Sequence, residues 1–349
     1  MSNISKVDRN FAVKTDIYKK DIQFYNSEEA PFKIYGIFKE NGKFRRMPES
    51  VAKTVSEGVY ILHTHTAGGR VRFVTDSAYI AINVKSDGMS RSPHNPLTNS
   101  AGFDMYVGNR YVHTFVPPYT IETGYESLFD GFGSNEIREI TINFPLFSNV
   151  SELYIGLQKD ATIKEAYPYK NKKPIVYYGS SIIQGGCFSR PGNCYENIIS
   201  RKFNYDYINL GFSGNAKAED EIADYIKGLD MSLFVYDYDY NAPSQEYLAN
   251  THEKLFKIVR EAHPDIPVII MGRPKYTLLE GEMLHTKIVE KTYKNALEAG
   301  DKNVYFIDGP TLLELCKDDF SVDNIHPNDF GFASMAKALS DVIEKINYI

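Results

Sequence analysis

Ser181 lies in the turn Tyr177-Tyr178-Gly179-Ser180-Ser181-Ile182-Ile183-Gln184-Gly185-Gly186, directly after an apolar run. Far downstream, Asp323-Asn324-Ile325-His326-Pro327 puts a carboxylate and an imidazole three residues apart, ahead of the last helical pattern. Acyl transfer at a serine needs a nucleophile, a base and a group that orients the base. Ser181, His326 and Asp323 are those three types, Asp323 able to accept the Nδ1 proton so that Nε2 faces the serine. Between them, Asn209-Leu210-Gly211-Phe212-Ser213-Gly214-Asn215 is a run of small residues whose backbone N–H groups could face an oxyanion. In Val235-Tyr236-Asp237-Tyr238-Asp239-Tyr240-Asn241, strand alternation puts Asp237, Asp239 and Asn241 on one face, and Asn241 could add a side-chain N–H.

Each piece has a plainer reading. The serine turn could be an ordinary strand–helix loop, Ser213 or Asn215 a helix cap, the acids a solvated edge strand, and His326 a surface residue. A phosphate cradle is disfavoured, because neither Gly-Lys-Ser/Thr nor Gly-x-Gly-x-x-Gly spacing is present. His63 and His65 share a strand face but lack further ligands at useful spacing, so no metal is expected. Arg70 and Arg72 read as an exposed strand face, and Cys187 as a small packing residue.

The elements that must position these residues fall into two halves. Residues 59–62, 70–74, 79–84 and 139–144 are short and rich in β-branched or aromatic residues, with Gly, Pro, Asn, Asp and Ser clusters between them. They predict an antiparallel β-sandwich over residues 30–168, after an N-terminal extension at 1–29, with a turn of helix at 49–55. From 169 to 349 the texture changes. Apolar strands at 174–178, 205–209, 232–238, 267–271 and 303–307 alternate with helices at 193–203, 219–227, 245–262, 281–299 and 329–346. That alternation predicts a doubly wound parallel α/β sheet with helices on both faces. Ligands of such sheets bind beyond the carboxyl ends of the strands, which is where the chemistry-bearing pieces fall.

The bulk numbers narrow the function. A chain of 349 residues is long for one core and suits two domains. Its hydrophobic content of 43% and charged content of 24% are those of a globular protein. The net charge of -6 argues against a nucleic-acid partner. No stretch has the length of a membrane span or of a signal-peptide core. Three cysteines cannot all pair, which fits a reducing, cytoplasmic compartment.

Taken together, the four pieces resemble the SGNH (GDSL-like) hydrolases. On that resemblance Ser181 matches the nucleophile, Gly214 the oxyanion glycine, Asn241 the oxyanion asparagine, and Asp323 and His326 the acid and base. Ser181 would also give its backbone N–H to the oxyanion hole. The first-block Asp is replaced by Ser180, and the third block reads Asp239-Tyr240-Asn241-Ala242. Gly102-Phe103-Asp104-Met105-Tyr106 matches the Gly-x-Asp-Leu-Tyr motif of a branch with an N-terminal β-domain, with Met for Leu. The resemblance implies a flavodoxin-like hydrolase domain and an esterase without cofactor or metal. It implies a short-chain, acetyl-type ester of a small molecule or oligosaccharide as substrate, and it leaves homo-oligomerisation open. The competing reading is a non-catalytic carbohydrate-binding protein with a degenerate hydrolase domain.

Overall fold

The structure, a computed structural model, describes residues 7–8 and 16–346. In the first half, one antiparallel sheet runs Ile22–Asn26, Ser148–Gln158, Ile80–Met89, Gly124–Phe129. The other runs Ile163–Lys164, Arg70–Thr75, Arg138–Asn143, Phe103–Val107, Arg110–Phe115, with Lys33–Tyr35 also pairing Arg70–Thr75. Alternate residues of both sheets, among them Phe73, Ile82, Ile140 and Ile155, share one buried core. This is the expected sandwich, although its first strand, Ile22–Asn26, lies ahead of residue 30.

Two sequence expectations in this half are corrected. Residues 59–62 form no strand but end a helix, Glu57–Leu62, which follows the helix Glu49–Val55. Their β-branched and aromatic content suggests extension, but the Ser56 side chain caps the helix by accepting from Val59 N (3.2 Å), and Val59 is buried in the core of the second half. Arg70 and Arg72 are also not exposed, because their face of the sheet is covered by the second half of the chain rather than by water. Arg70 forms a close ion pair with Asp206, donates to Gly68 O (2.6 Å) and lies over the Tyr207 ring, and Arg72 donates to Glu139 Oε1 (2.8 Å).

The second half is a parallel sheet of β1 (Ile175–Gly179), β2 (Tyr207–Gly211), β3 (Leu233–Asp237), β4 (Val268–Met271) and β5 (Val304–Ile307). Their spatial order is β2-β1-β3-β4-β5. Alternate residues feed two apolar layers: Val176, Phe234 and Ile270 pack on one face, Tyr177, Val235 and Ile269 on the other. Both faces are dry, as a sheet between two helical layers requires. The acid-bearing strand is the central one, not an edge. It stops at Asp237, and Asp239–Asn241 is a 3-10 turn. The expected single face of Asp237, Asp239 and Asn241 therefore does not form. No described helix is long and apolar enough to cross a membrane.

The two halves meet at the Gly102–Tyr106 motif. The fully buried Asp104 carboxylate accepts from Arg190 Nη1 (2.7 Å), Gly192 N (2.8 Å) and Asn143 Nδ2 (2.8 Å). Arg190 also donates to the Tyr106 hydroxyl and stacks 3.9 Å over the Tyr111 ring centroid. Arg190 and Gly192 belong to the loop that follows the serine turn. Two further β-half side chains hold the same stretch: Asn99 Nδ2 donates to Gly185 O (2.8 Å) and Thr98 Oγ1 to Ser189 O (2.6 Å). Removing one member of such a sealed pair strands the other charge. Asp104→Ala is expected to destabilise the protein by about 3–5 kcal/mol, read as a lowered urea midpoint. A loss within about 1 kcal/mol, the level of a surface pair, would show that the clamp carries no weight.

Candidate active site

Ser181 is the first residue of a one-turn helix, Ser181–Gln184, at the carboxyl end of β1. Ser180 caps that turn, its hydroxyl accepting from Ile182 N (3.2 Å). Gly179 makes the approach to β3 possible: a Cβ there would lie 1.7 Å from Asp237 O, the oxygen that accepts from Ser180 N at 3.0 Å. As the first helical residue, Ser181 has a backbone N–H with no intrahelical acceptor.

The sequence pair Asp323 and His326 arrives at the same point. Ser181 Oγ and His326 Nε2 are 2.9 Å apart, and His326 Nδ1 and Asp323 Oδ2 are 2.7 Å apart. Asp323 Oδ1 also accepts from His326 N (2.7 Å) and Ile325 N (3.0 Å). Partial burial alone would raise the Asp323 carboxyl, but these hydrogen bonds hold it below the usual carboxylate range. An ionised Asp323 accepts the Nδ1 proton, so Nε2 is the acceptor for the serine hydroxyl.

These residues open into a cleft of about 450 Å³ built from both halves. The α/β half contributes Ser181, His326, Asp323, Ser213 and Asn215. The β half contributes Gly58, Ile61 and Leu62 from its helix, Ser92, His94 and Asn95 from a loop, and Phe147. Gly58 lies against Asn215 so closely that a Cβ would fall 1.9 Å from the amide oxygen. Cys187 is on the cleft wall yet mostly buried, and its thiol is pushed up to about 11 by burial and by the Asp323 charge. It is an inert lining residue.

The remaining expected site residues sit nearby, in less direct positions. Gly214 has φ +70° and lies between Ser213 and Asn215, which both line the cleft. Asn241 is not on the cleft wall. Its Oδ1 accepts from Ala216 N (3.2 Å), which ties it to the Gly214 loop. Asp237 and Asp239 are buried behind the serine turn. Burial and the neighbouring Asp239 hold the Asp237 carboxyl far above its usual range, whereas Asp239 accepts from Arg273 Nε (3.0 Å). His63 and His65 do not form a pair: His63 Nε2 is 2.7 Å from Arg45 Nη1, and His65 Nδ1 is 3.0 Å from Gln184 Nε2. Burial lowers them to about 4 and about 3, so both are neutral. Among the described residues, no group of three or more His, Cys, Asp or Glu is placed to hold a metal ion.

Sequence reasoning did not single out Gln184. Its amide donates to Leu146 O (3.2 Å) and His65, while its Oε1 accepts from Ser213 N (2.9 Å). One side chain thus fixes the serine turn, the Gly214 loop and the β half together. A long amide side chain directly after Ile182-Ile183 and before two glycines is the signal that could have marked it.

Two family models match the chain. The GDSL-like Lipase/Acylhydrolase family matches residues 172–344, and GxDLY, the N-terminus of Esterase_SGNH_hydro-type proteins, matches residues 22–163. The chain carries a GDSL-like lipase/acylhydrolase domain behind a GxDLY domain. It is accordingly an ester hydrolase. Among solved structures, it is similar to a protein from Bacteroides ovatus described as a GDSL-like lipase (27% identity, 93% of this chain and 98% of that one, TM-score 0.83). It shares its fold with the salicylyl-acyltransferase of a tetracycline biosynthetic pathway (19%, 95% and 99%, TM-score 0.75). It also shares it with an acetyl xylan esterase from the rumen bacterium Butyrivibrio proteoclasticus (14%, 94% and 100%, TM-score 0.60). No match was found among curated proteins.

Beneath the site, Asn209 Nδ2 donates to Ile183 O (2.5 Å) and lies 3.4 Å from Glu196 Oε1. Glu196 is fully buried, and burial raises it to about 8. Between the usual unfolded value of about 4.3 and about 8, the folded protein holds a proton that the unfolded chain releases, so this group's contribution falls as pH rises. Glu196→Gln keeps the shape without the titration. Its unfolding temperature should gain on wild type progressively from pH 5 to pH 8, a window set by those two values. A difference independent of pH would show that Glu196 is ionised in the fold.

Proposed function

We propose that this protein is a serine esterase that removes short acyl groups, acetyl above all, from carbohydrate alcohols. The observation that carries the reading is the continuous Ser181–His326–Asp323 hydrogen-bond relay at the mouth of a cleft. Ser181 Oγ attacks the ester carbonyl while His326 Nε2 takes its proton, and Asp323 holds the imidazole and stabilises its charged form. The tetrahedral oxygen is received by the Ser181 and Gly214 N–H groups. Asn241, tied to the Gly214 loop through Ala216 N and set back from the cleft wall, would add its amide N–H once the substrate is seated. His326 then protonates the departing alcohol. Water, deprotonated by the same nitrogen, hydrolyses the acyl-enzyme.

The cleft supports the substrate class. Serines, asparagines and a histidine stand beside Ile61, Leu62 and Phe147, which suits a small acyl group on a polar alcohol better than a long lipid chain. The acetyl xylan esterase with this fold is consistent with that class. A panel of acetylated oligosaccharides, read by released acetate, tests it. Turnover of long-chain esters only, with no acetate released, would overturn the substrate assignment and leave the relay standing.

The relay has its own tests on p-nitrophenyl acetate. Ser181→Ala and His326→Ala are each expected to lower kcat by roughly four to six powers of ten with the fold retained. Near-wild-type turnover by folded Ser181→Ala would exclude that nucleophile. Asp323→Asn should cut the rate by roughly 10⁴-fold, since the amide can hold the imidazole in the wrong tautomer. An unchanged rate would mean that Asp323 does not act on His326. Asn241→Ala should lower kcat by roughly 10²–10³-fold with little change in KM, as loss of one oxyanion donor does. Full activity would remove Asn241 from the oxyanion hole.

A further inference from the structure

A second cavity, of about 220 Å³, lies on the seam between the two halves, away from the Ser181 cleft and sharing no lining residue with it. Its walls are the outer face of the β-sheet, with Arg72, Glu139 and Asn143, and the end of the helix Tyr195–Phe203, with Arg201 and Lys202. Lys170, at the start of the second half, completes it.

The charges around it do not cancel. Arg70 is paired with Asp206, Arg72 with Glu139 and Lys202 with Glu344. Among the described residues, no carboxylate lies within ion-pair distance of Arg201 or Lys170. The donors are not all used either. Arg72 is 4% exposed, and only its Nη2 has an acceptor, Glu139. Its Nε and Nη1 meet no hydrogen-bond acceptor among the described residues, and neither does Arg201 Nη1, although all three are buried. Buried guanidinium donors left unpaired are costly. The one acid in the wall, Glu139, is already engaged, accepting from Arg72 Nη2 and from Tyr167 N (3.1 Å). The two guanidinium groups are also stiffened by stacking, Arg72 over the Tyr169 ring (4.1 Å) and Arg201 over Tyr106 (4.1 Å). Fixed planar donors with surplus positive charge match an oxyanion.

We infer that this cavity is a binding site for a small oxyanion, a phosphate, sulfate or carboxylate group, held by Arg72 and Arg201 with Lys170 at its mouth. It has room for a free phosphate, or for a carboxylate together with the sugar ring that bears it. The inference does not depend on the esterase reading.

Calorimetric titration of the full chain at constant ionic strength tests it, with sodium phosphate, sodium sulfate and sodium glucuronate as probes and glucose as the neutral control. At least one anion should bind with one-to-one stoichiometry at millimolar concentration or below, and glucose should not. Phosphate or sulfate binding alone would identify a free inorganic anion as the ligand, and tighter glucuronate binding a carboxylate carried on a sugar. Arg201→Gln should weaken binding by about tenfold or more, the loss expected for one charge-assisted hydrogen bond. Lys170 is exposed, so Lys170→Gln retains the fold and should weaken binding by a smaller factor. Ser181→Ala should bind the anion as wild type does, which separates this cavity from the catalytic cleft. Absence of binding by all three anions, or binding unaffected by both Arg201→Gln and Lys170→Gln, would overturn the site.

Discussion

The Asp104 carboxylate, sealed from water between the two halves, is the contact on which the rest of the structure depends. It is a buried charge, and a buried charge is tolerable only when its hydrogen bonds are complete. Asp104 meets that condition with donors from both halves: Asn143 from its own sheet, and Arg190 and Gly192 from the loop after the serine turn. The β half therefore cannot settle without that loop, nor the loop without the β half. Gln184 and Asn99 repeat the arrangement closer to Ser181. The serine turn is thus held from outside its own sheet as well as from within it.

The polar groups around the turn are sorted by environment. Asp237 and Glu196 are buried with too few donors and stay protonated, whereas Asp323, at the surface with several donors, stays ionised. Acids pushed apart in this way take different roles. Only Asp323 presents a full negative charge to the His326 ring. Asp239, buried beside Asp237, is matched by Arg273. The negative charge that steers the imidazole therefore comes from one side, and the region behind the serine stays electrically quiet.

Much of this was legible in the chain. The five apolar strands and the helices between them are visible because a parallel sheet buried on both faces leaves continuous apolar runs, and β1 to β5 fall where those runs predict. The Ser181, Asp323 and His326 constellation is visible because the proposed chemistry requires those residue types at the ends of strands and in loops, and the structure brings the three within hydrogen-bond distance. What remained hidden depends on contacts between distant segments. Val59 to Leu62 looks like a strand until the Ser56 cap and the neighbouring core are known. Arg70 and Arg72 look solvent-facing because nothing local reveals that a second half covers them. Asp239 to Asn241 continue the alternation of β3 in sequence, but the chain turns at Asp237. Gln184 is plain in the motif, and its three partners, at 65, 146 and 213, could not be read from it.

The walls of the Ser181 cleft divide the protein's labour along the chain. On the proposed mechanism the reacting groups all come from residues after 180, while much of the opposite wall comes from residues 58–62, 90–95 and 147. Attack and admission are therefore written in separate stretches of sequence. Changes in the 90–95 loop would alter which alcohol is admitted while leaving the attacking oxygen and its base where they are. A family built on this plan can diversify its diet through the β half alone, without relearning its chemistry.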